Sequence, residues 1–540
     1  MSLRKTWWKE AVVYQIYPRS FFDTNGDGVG DLNGVRAKLD YLQELGVDMI
    51  WLCPVYKSPN VDNGYDVSDY QAIMDEMGTM DDFDRLLEDI HSRGMKIMMD
   101  LVLNHTSDQH PWFLESKSSL DNPKRDWYVW RDKPTNWESI FGGPAWTYDP
   151  KTRQYYFHLF SKSQVDLNWE NPELRRALYD MILWWLDKGI DGFRVDAINH
   201  LKKDYTDMPN PDGLNYVPAW EKMTNVQGIQ ELLAELRRET FDRYDVVTVG
   251  EANSIRAHEI NEWISEEEGK FNMIFHLEAH EEAWDEESVG VDVDDLRIVL
   301  DRWQRSAQGI AWNSLYLENH DRPRTVSTWG NDREHWRESA TALGCMYFFM
   351  QGTPFIYQGQ EIGMTNAPFD DIDMYRDIET KNMYRYHRQK GVSHKELMKT
   401  IKKISRDHAR TPMQWNFGAN AGFTGGKPWI PVNPNFNWLN VKAQLKDPQS
   451  VLSFYKKMLQ LRKEHETLVY GSTHLAFLEC PYVYAYTREY GAARYLVISH
   501  LDEDTCSWWE PEEGELLLSN YDRHTHGKLQ PYEARVYLLK

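Results

Sequence analysis

Three carboxylates in this sequence close three separate β-branched runs: Asp196 ends GFRVDA, Glu251 ends VVTVGEA and Asp321 ends SLYLENHD. His105 closes a fourth run, KIMMDLVLNH, and His320 stands beside Asp321. A single polar residue at such a place is ordinarily a structural cap at the start of a loop. Five together suit one chemistry. Cleaving an acetal needs a proton for the leaving oxygen and a negative group to meet an oxocarbenium-like carbon, and two carboxyls in different environments supply both. Arg194 lies two residues before Asp196, so both side chains leave the same face of an extended strand. A charge inside a buried strand is costly unless it is paired or used. Arg194 is therefore expected to compensate Asp196 and to keep its carboxylate ionised by lowering its pKa, which makes Asp196 the candidate nucleophile. Glu251 is the candidate acid, its proton retained by a closed site and by the charges of Asp196 and Asp321. Asp321 is left to hold substrate hydroxyls.

These residues converge only if the runs lie side by side. Eight such runs occur: VVYQIYP, VDMIWLCP, KIMMDLVLNH, GFRVDA, VVTVGEA, MIFHLE, SLYLENHD and TPFIYQGQEIG. Amphipathic stretches such as LNGVRAKLDYLQELG, MDDFDRLLEDIHSRG and ELRRALYDMILWWLDKG separate most of them, each ended by a glycine suited to a left-handed cap. The alternation predicts an α/β fold, a (β/α)8 TIM barrel whose chemistry lies at the C-terminal ends of its strands. The third unit is interrupted: about sixty residues rich in Trp, Pro, Asn and Gly follow it with no helix before Pro172, too many for a βα loop. They predict a small inserted domain. After the helical stretch VLSFYKKMLQLRKEHETL, short strand-like runs alternate with turns and predict a C-terminal antiparallel β domain. The expected units are a first barrel part at 1–104, the inserted domain at 105–171, a second barrel part at 172–470 and the β domain at 471–540.

The 540 residues carry 61 basic and 84 acidic side chains, a net charge of −23. That balance repels phosphate backbones and anionic membranes and excludes nucleic acid as an expected partner. The opening MSLRKTWWKEAVVYQ lacks the apolar stretch of a signal peptide, and no run approaches eighteen apolar residues. A cytoplasmic protein with no membrane partner is expected, monomeric or weakly homo-oligomeric. Cys53, Cys345, Cys480 and Cys506 stand far apart and read as reduced thiols, two of them in the core. The 23 tryptophans and 30 tyrosines exceed the needs of a core and supply flat rings for sugar faces.

The loop DTNGDGVGD carries a separate signal. Asp23, Asn25 and Asp27 alternate, Asp31 follows, and Gly26 and Gly28 allow a tight turn, a pattern that suits a hard cation such as calcium. Gly34 falls where an EF-hand needs a glutamate, so the loop is not that motif. A solvated acidic turn is the plainer alternative.

MMDLVLNH, GFRVDAINH, VGEA and LENHD resemble the four signature regions of the α-amylase family of glycoside hydrolases. AVVYQIYPRSF, DNGYDVSDY, QVDLNWENP and SRDHARTPMQW are similar to the branch that holds oligo-1,6-glucosidases, α-glucosidases and dextran glucosidases. The resemblance runs over essentially the whole chain. It implies a retaining mechanism, with Asp196 as nucleophile, Glu251 as acid/base and Asp321 as stabiliser of the transition state. It also implies a dead-end pocket for the non-reducing terminal glucose of a short oligosaccharide. There Asp62 would bind sugar hydroxyls, Tyr65 would stack on the sugar face, and His105 and His320 would act as neutral donors. Arg406 would close the far end; Arg410 competes for that place, and a surface pair with Asp407 is the alternative for Arg406. Phe141, Phe160 and Gln164 of the inserted domain would wall the pocket, with Val165 standing where the family commonly has proline. A structural Ca²⁺ or Mg²⁺ on the 23–31 loop is implied, completed by the Val29 carbonyl, and no catalytic cofactor. Ala197 follows the nucleophile, where valine goes with α-1,6 and threonine with α-1,4 preference in that branch. Its methyl leaves the aglycone side open, and DAINHLKK resembles the α-1,4-acting α-glucosidases. The resemblance favours an α-1,4-acting α-glucosidase with α-1,6 cleavage open. The alternatives are an oligo-1,6-glucosidase and, less favoured, a trehalose-6-phosphate hydrolase or a transglucosylase.

Overall fold

The structure is a computed structural model that describes residues 3–283, 290–508 and 514–540. All eight runs marked by the sequence form strands: β1 Val13–Ile16, β2 Met49–Leu52, β3 Lys96–Val102, β4 Gly192–Asp196, β5 Val247–Glu251, β6 Met273–Phe275, β7 Ser314–Leu315 and β8 Thr353–Tyr357. They pair in parallel in the order β6-β5-β4-β3-β2-β1-β8-β7. Between β6 and β7 the seam of the barrel is bridged by Ser314 Oγ, which donates to the Ile274 carbonyl at 2.7 Å. The strands are apolar nearly throughout because both faces are covered. Val13, Met49, Met98, Val249 and Phe355 fill the barrel interior, while Ile50, Ile97, Phe193 and Ile356 meet the surrounding helices.

The helices start where local chemistry directs. Met80–Ser92 opens on a reciprocal Thr79–Asp82 capping box, and Pro172–Asp187 has Pro172 in its first turn with Asn171 accepting from two amides. The last barrel helix, Val451–Glu464, is broken at His465 from a short helix Glu466–Tyr470, so the stretch expected as one helix is two.

The insertion after β3 contains a three-stranded antiparallel sheet and a separate pairing of His105–Ser107 with Gln164–Asp166. It also contains a helix, Pro111–Ser116, where none is expected. Six residues are too few for an amphipathic period. Its only sequence marks are Pro111 and His110, whose Nδ1 accepts from the Trp112 amide at 3.1 Å. The core of this domain, around Trp137, Trp146, Phe157 and Leu159, also takes Ala219 and Met223 from the long excursion after β4. After β8 a helical hairpin, Ile378–Gln389 and His394–Ile404, stands beside the strand ends.

The C-terminal domain is the expected antiparallel sheet, in the order Ser472–Ala476, Val483–Tyr490, Ala493–His500, Ala534–Leu539, Gly514–Ser519. Arg488 ties it to the barrel by donating to the carbonyls of Leu468, Val469 and Gly471. The four cysteines are free, with Cys53 and Cys345 buried. Among the described residues no helix is long and apolar enough to cross a membrane.

Candidate active site

The strand ends open into a pocket of about 480 Å³ that brings together Asp62, Tyr65, His105, Phe141, Phe160, Gln164, Asp196, Ala197, Glu251, Asp321 and Arg406. Arg194 and His320 lie beneath its lining, 2% and 1% exposed. Asp196 and Glu251 are the last residues of β4 and β5, as expected. Two others sit differently. β3 ends at Val102, and His105 begins the short strand that pairs with the insertion, because the chain has already turned to meet it. β7 ends at Leu315, so Asp321 stands six residues further on, in a loop held by its own contacts.

Arg194 faces three carboxylates. Its Nη1 donates to Asp100 Oδ1 at 2.7 Å and to Asp196 Oδ1 at 2.8 Å, and its Nη2 lies 2.9 Å from Glu251 Oε2. The expected one-to-one compensation is corrected by this geometry. Burial pushes Asp196 well above the ordinary carboxylate range; Arg194 pulls it down, while Glu251 and Asp100 push it up. The expected lowering of Asp196 is not found because burial outweighs the pull of Arg194, and Glu251 and Asp100 add to the rise. Asp100, pushed up to about 6 by burial against the pull of Arg194, is a site residue the sequence analysis misses. It accepts from Tyr65 Oη at 2.9 Å and Trp51 Nε1 at 3.2 Å. The signal is present, an aspartate inside the apolar run KIMMDLV.

Ala197 adopts the left-handed conformation, φ 45° and ψ 36°. For a residue with a Cβ this costs about 1–2 kcal/mol. The turn directs the Ala197 amide at Glu251 Oε2, 3.0 Å away, so the backbone after Asp196 helps place Glu251.

The far end is a second cluster. Asp321 Oδ1 accepts from Arg410 Nη2 at 2.8 Å and Arg406 Nη1 at 3.1 Å. Burial works to raise Asp321, but neighbouring positive charge holds it well below the usual carboxylate range. The arginines are that charge, since His320 is pushed down to about 3 by burial and is neutral. Its Nδ1 accepts from Gln15 Nε2 at 2.9 Å, which leaves the ring proton on Nε2. That nitrogen is 3.1 Å from Asp321 Oδ2 but not aligned for a hydrogen bond. Tyr65 stacks on the His320 ring at 5.1 Å.

Arg406 is a pocket arginine. Its Nε and Nη2 reach Asp377 Oδ1 at 3.0 and 2.5 Å, and Nη2 lies 3.5 Å from Asp62 Oδ1. The alternative pair with Asp407 is not formed: Asp407 is buried and accepts from the amides of Arg376 and Asp377. Arg410 does not displace Arg406 but joins it on Asp321. Asp62 is pushed up to about 7 by burial, against the pull of Arg406 and Arg410. Asp377 and Glu379, missed by the sequence analysis, belong to the start of the helical hairpin, where no strand or motif points to them.

Along one side, Gln164 Nε2 donates to Asp62 Oδ2 at 3.0 Å. His105 Nε2 lies 3.1 Å from the Tyr65 carbonyl, and burial pushes this ring down to about 4, which leaves it neutral. Phe160 packs 5.2 Å from His105 and 5.4 Å from Phe141, whose ring also meets Arg406 at 5.1 Å. Behind this wall Lys203, missed in the sequence, pairs with Asp166 and donates to Asn104 Oδ1 at 2.7 Å. Both members of that pair are buried, and they lock the insertion to the excursion after β4.

The 23–31 loop is a series of side-chain-to-backbone turns. Asp23 accepts from the amides of Asn25, Gly26 and Gly28, Asn25 from Asp27, and Asp27 from Val29. Asp31 accepts from Thr24 and caps the next helix through the Gly34 amide. Among the described residues no three His, Cys, Asp or Glu side chains converge as a metal cluster. The oxygens of this loop are nonetheless of the hard type that Ca²⁺ or Mg²⁺ prefers.

Paired carboxylates at the strand ends of a (β/α)8 barrel, above a closed pocket, define a glycoside hydrolase site. The alpha amylase catalytic domain family matches residues 15–471, and the chain belongs to the α-amylase family of glycoside hydrolases. The probable oligo-1,6-glucosidase 3 of Bacillus subtilis (strain 168) is 53% identical over 99% of this chain and 100% of its own. The oligo-1,6-glucosidase of Parageobacillus thermoglucosidasius is 50% identical over 100% of both chains. Among solved structures, the trehalose-6-phosphate hydrolase of Bacillus licheniformis superposes with a TM-score of 0.93 at 42% identity, over 99% of this chain and 100% of that one.

Proposed function

We propose that the protein is a retaining, exo-acting α-glucosidase that releases glucose from the non-reducing end of short α-linked oligosaccharides. One observation carries this: Asp196 and Glu251 share Arg194 at the open side of a pocket whose far end is shut by Asp62, Arg406, Asp377 and Asp321. A closed end accepts a chain terminus and not the middle of a chain.

Asp196 attacks the anomeric carbon while Glu251 protonates the departing oxygen. Glu251 then takes a proton from water as that water displaces Asp196, returning the α configuration. Asp100, Asp196 and Glu251 surround one cation, and in the attack on the anomeric carbon Glu251 serves as proton donor while Asp196 is the carboxylate paired with Arg194. Asp62 and Asp321 accept from the hydroxyls of the terminal glucose, and Tyr65, Phe160 and Phe141 exclude water from it.

The relatives' names weigh towards α-1,6 bonds, ahead of the α-1,4 bonds that the resemblance of DAINHLKK favours; the small Ala197 leaves the aglycone side open to either. A phosphorylated disaccharide is the weaker reading. Arg406 is committed to Asp377 and Asp321, and Arg322 lines the pocket together with Glu281 and Glu379. The test is glucose release from isomaltose, maltose and trehalose-6-phosphate, with the Asp196→Asn variant as blank and the first-formed anomer read by NMR. Release of α-glucose from isomaltose at the highest kcat/KM is expected. Release of β-glucose, or full activity in the variant, would overturn the assignment.

The loop of Asp23, Asn25, Asp27, Val29 and Asp31 is proposed to hold a structural Ca²⁺ or Mg²⁺, remote from proton transfer. Chelation should lower the thermal midpoint and leave the kcat of the surviving fold unchanged; an unmoved midpoint would show that the loop needs no ion. The four free thiols support a reducing, cytoplasmic setting, and sedimentation distinguishes a monomer from a weak homo-oligomer.

A further inference from the structure

Trp220 is 48% exposed, although it lines the active-site pocket. Its backbone is fixed from beneath: Ala219 and Met223, on either side of it in the short helical turn, are buried in the core of the inserted domain. Its flank is fixed by His200, whose ring lies 6.5 Å from the indole and whose Nδ1 is 2.7 Å from the Met223 carbonyl. Burial pushes His200 down to about 4, so this ring is neutral. The rings continue inward. His200 meets Phe160 at 6.3 Å, and Phe160 meets His105 at 5.2 Å.

One aromatic wall therefore runs from the closed end of the pocket to its mouth, and Trp220 is its outermost member. His105 belongs with the terminal glucose at the closed end. His200 is tied to Ala197, its amide donating to the Ala197 carbonyl at 3.1 Å, and lines the pocket along with Glu251, which on the α-glucosidase reading puts it near the cleaved bond. Trp220 stands one ring further out. A large apolar ring left half in water on an ordered backbone forgoes part of its burial energy, and the flat apolar face of a pyranose is of a size to cover it. Ala197, with only a methyl group, leaves the passage to it open.

We propose that Trp220 is the platform for the second sugar unit beyond the cleaved bond. The favoured substrates are then α-linked gluco-oligosaccharides of three or more units, ahead of disaccharides. This rests on the α-glucosidase reading and adds a chain-length preference to it.

The test compares isomaltose with isomaltotriose, and maltose with maltotriose, in the parent, Trp220→Ala and Trp220→Phe. Loss of a stacking platform should lower the trisaccharide-to-disaccharide ratio of kcat/KM about tenfold in Trp220→Ala, through KM and not kcat. Trp220→Phe should recover most of the ratio. If the alanine variant does not fold, Trp220→Leu fills the wall without a flat ring and is read in the same way. A parent active on both lengths whose ratio is unchanged in these variants, or a loss equal for both lengths, overturns the platform alone. A parent that releases glucose from none of the four sugars overturns the α-glucosidase reading and the platform with it.

Discussion

Asp62 offers the sharpest test of how this site works. It lies buried at the closed end, where Arg406 is its nearest cation at 3.5 Å and is divided among Asp321, Asp377 and Glu379 as well. Burial moves its pKa from 3.8 to about 7. A shift of about three units corresponds to about 4 kcal/mol for ionising the group in place. Only the ionised carboxylate accepts from sugar hydroxyls at both oxygens, so kcat/KM should rise about tenfold per pH unit below about pH 7 and level off above it. Asp62→Asn should lower the plateau and remove that limb from the profile. Stability should move the opposite way. The folded chain binds this proton more tightly than the unfolded chain, so the group's contribution falls as pH rises from about 4 to about 7 and stays low above. Asp62→Asn should therefore be more stable than the parent at pH 8, by up to about 4 kcal/mol, and equal to it near pH 4. Profiles of kcat/KM and thermal unfolding at several pH values read both effects. If the variant keeps the same acid limb, another group, such as Asp100, sets it, and the role given to Asp62 ionisation is wrong.

Three further outcomes follow from the same geometry. Glu251→Gln should lower kcat/KM on oligosaccharides by about 10²–10⁴-fold and far less on α-glucosyl fluoride, whose leaving group needs no proton; equal losses would remove Glu251 from the acid role. Lys203→Met leaves Asp166 buried without its cation and should destabilise the protein by about 3–5 kcal/mol, with partial recovery in the Lys203→Met/Asp166→Asn double variant; a lone variant as stable as the parent would show that the pair is dispensable. Gly28 has φ +95°, and a Cβ there would stand 1.8 Å from the Lys427 carbonyl oxygen, whereas Gly26, φ +82°, has open space around it. Gly28→Ala should consequently lower the thermal midpoint well beyond Gly26→Ala, which carries only the strain of about 1–2 kcal/mol; equal shifts would refute the close approach.

The barrel is legible in the sequence for a physical reason. Parallel strands covered on both faces must be apolar throughout, so each polar residue at a strand end stands out, and Asp196 and Glu251 are found that way. Asp321 is picked out the same way, at the end of the run SLYLENHD, but the strand there is two residues long and ends well before it, so it reaches the site from a loop. What escapes is held by contacts that no period records. Asp377 and Glu379 enter from a hairpin after β8, and Trp220 from an excursion whose Ala219 and Met223 answer to another domain's core. Lys203 meets Asp166 across 37 residues of chain. The short helix at Pro111–Ser116 has too few residues to show an amphipathic stripe.

The pairing of Arg194 with Asp196 shows where sequence-based inference gives out. Alternation along one strand places the two side chains on one face, and that much holds. It says nothing of the neighbouring strands. Register sets Arg194 beside Asp100 on β3 and Val249 on β5, with Glu251 two residues beyond Val249. The guanidinium therefore answers three carboxylates instead of one. A planar fork of five donors can do this where a lysine ammonium on its flexible stem could not hold the same directions. The gathering of three carboxylates around one cation thus belongs to the register of β3, β4 and β5, and to no single residue in the run GFRVDA.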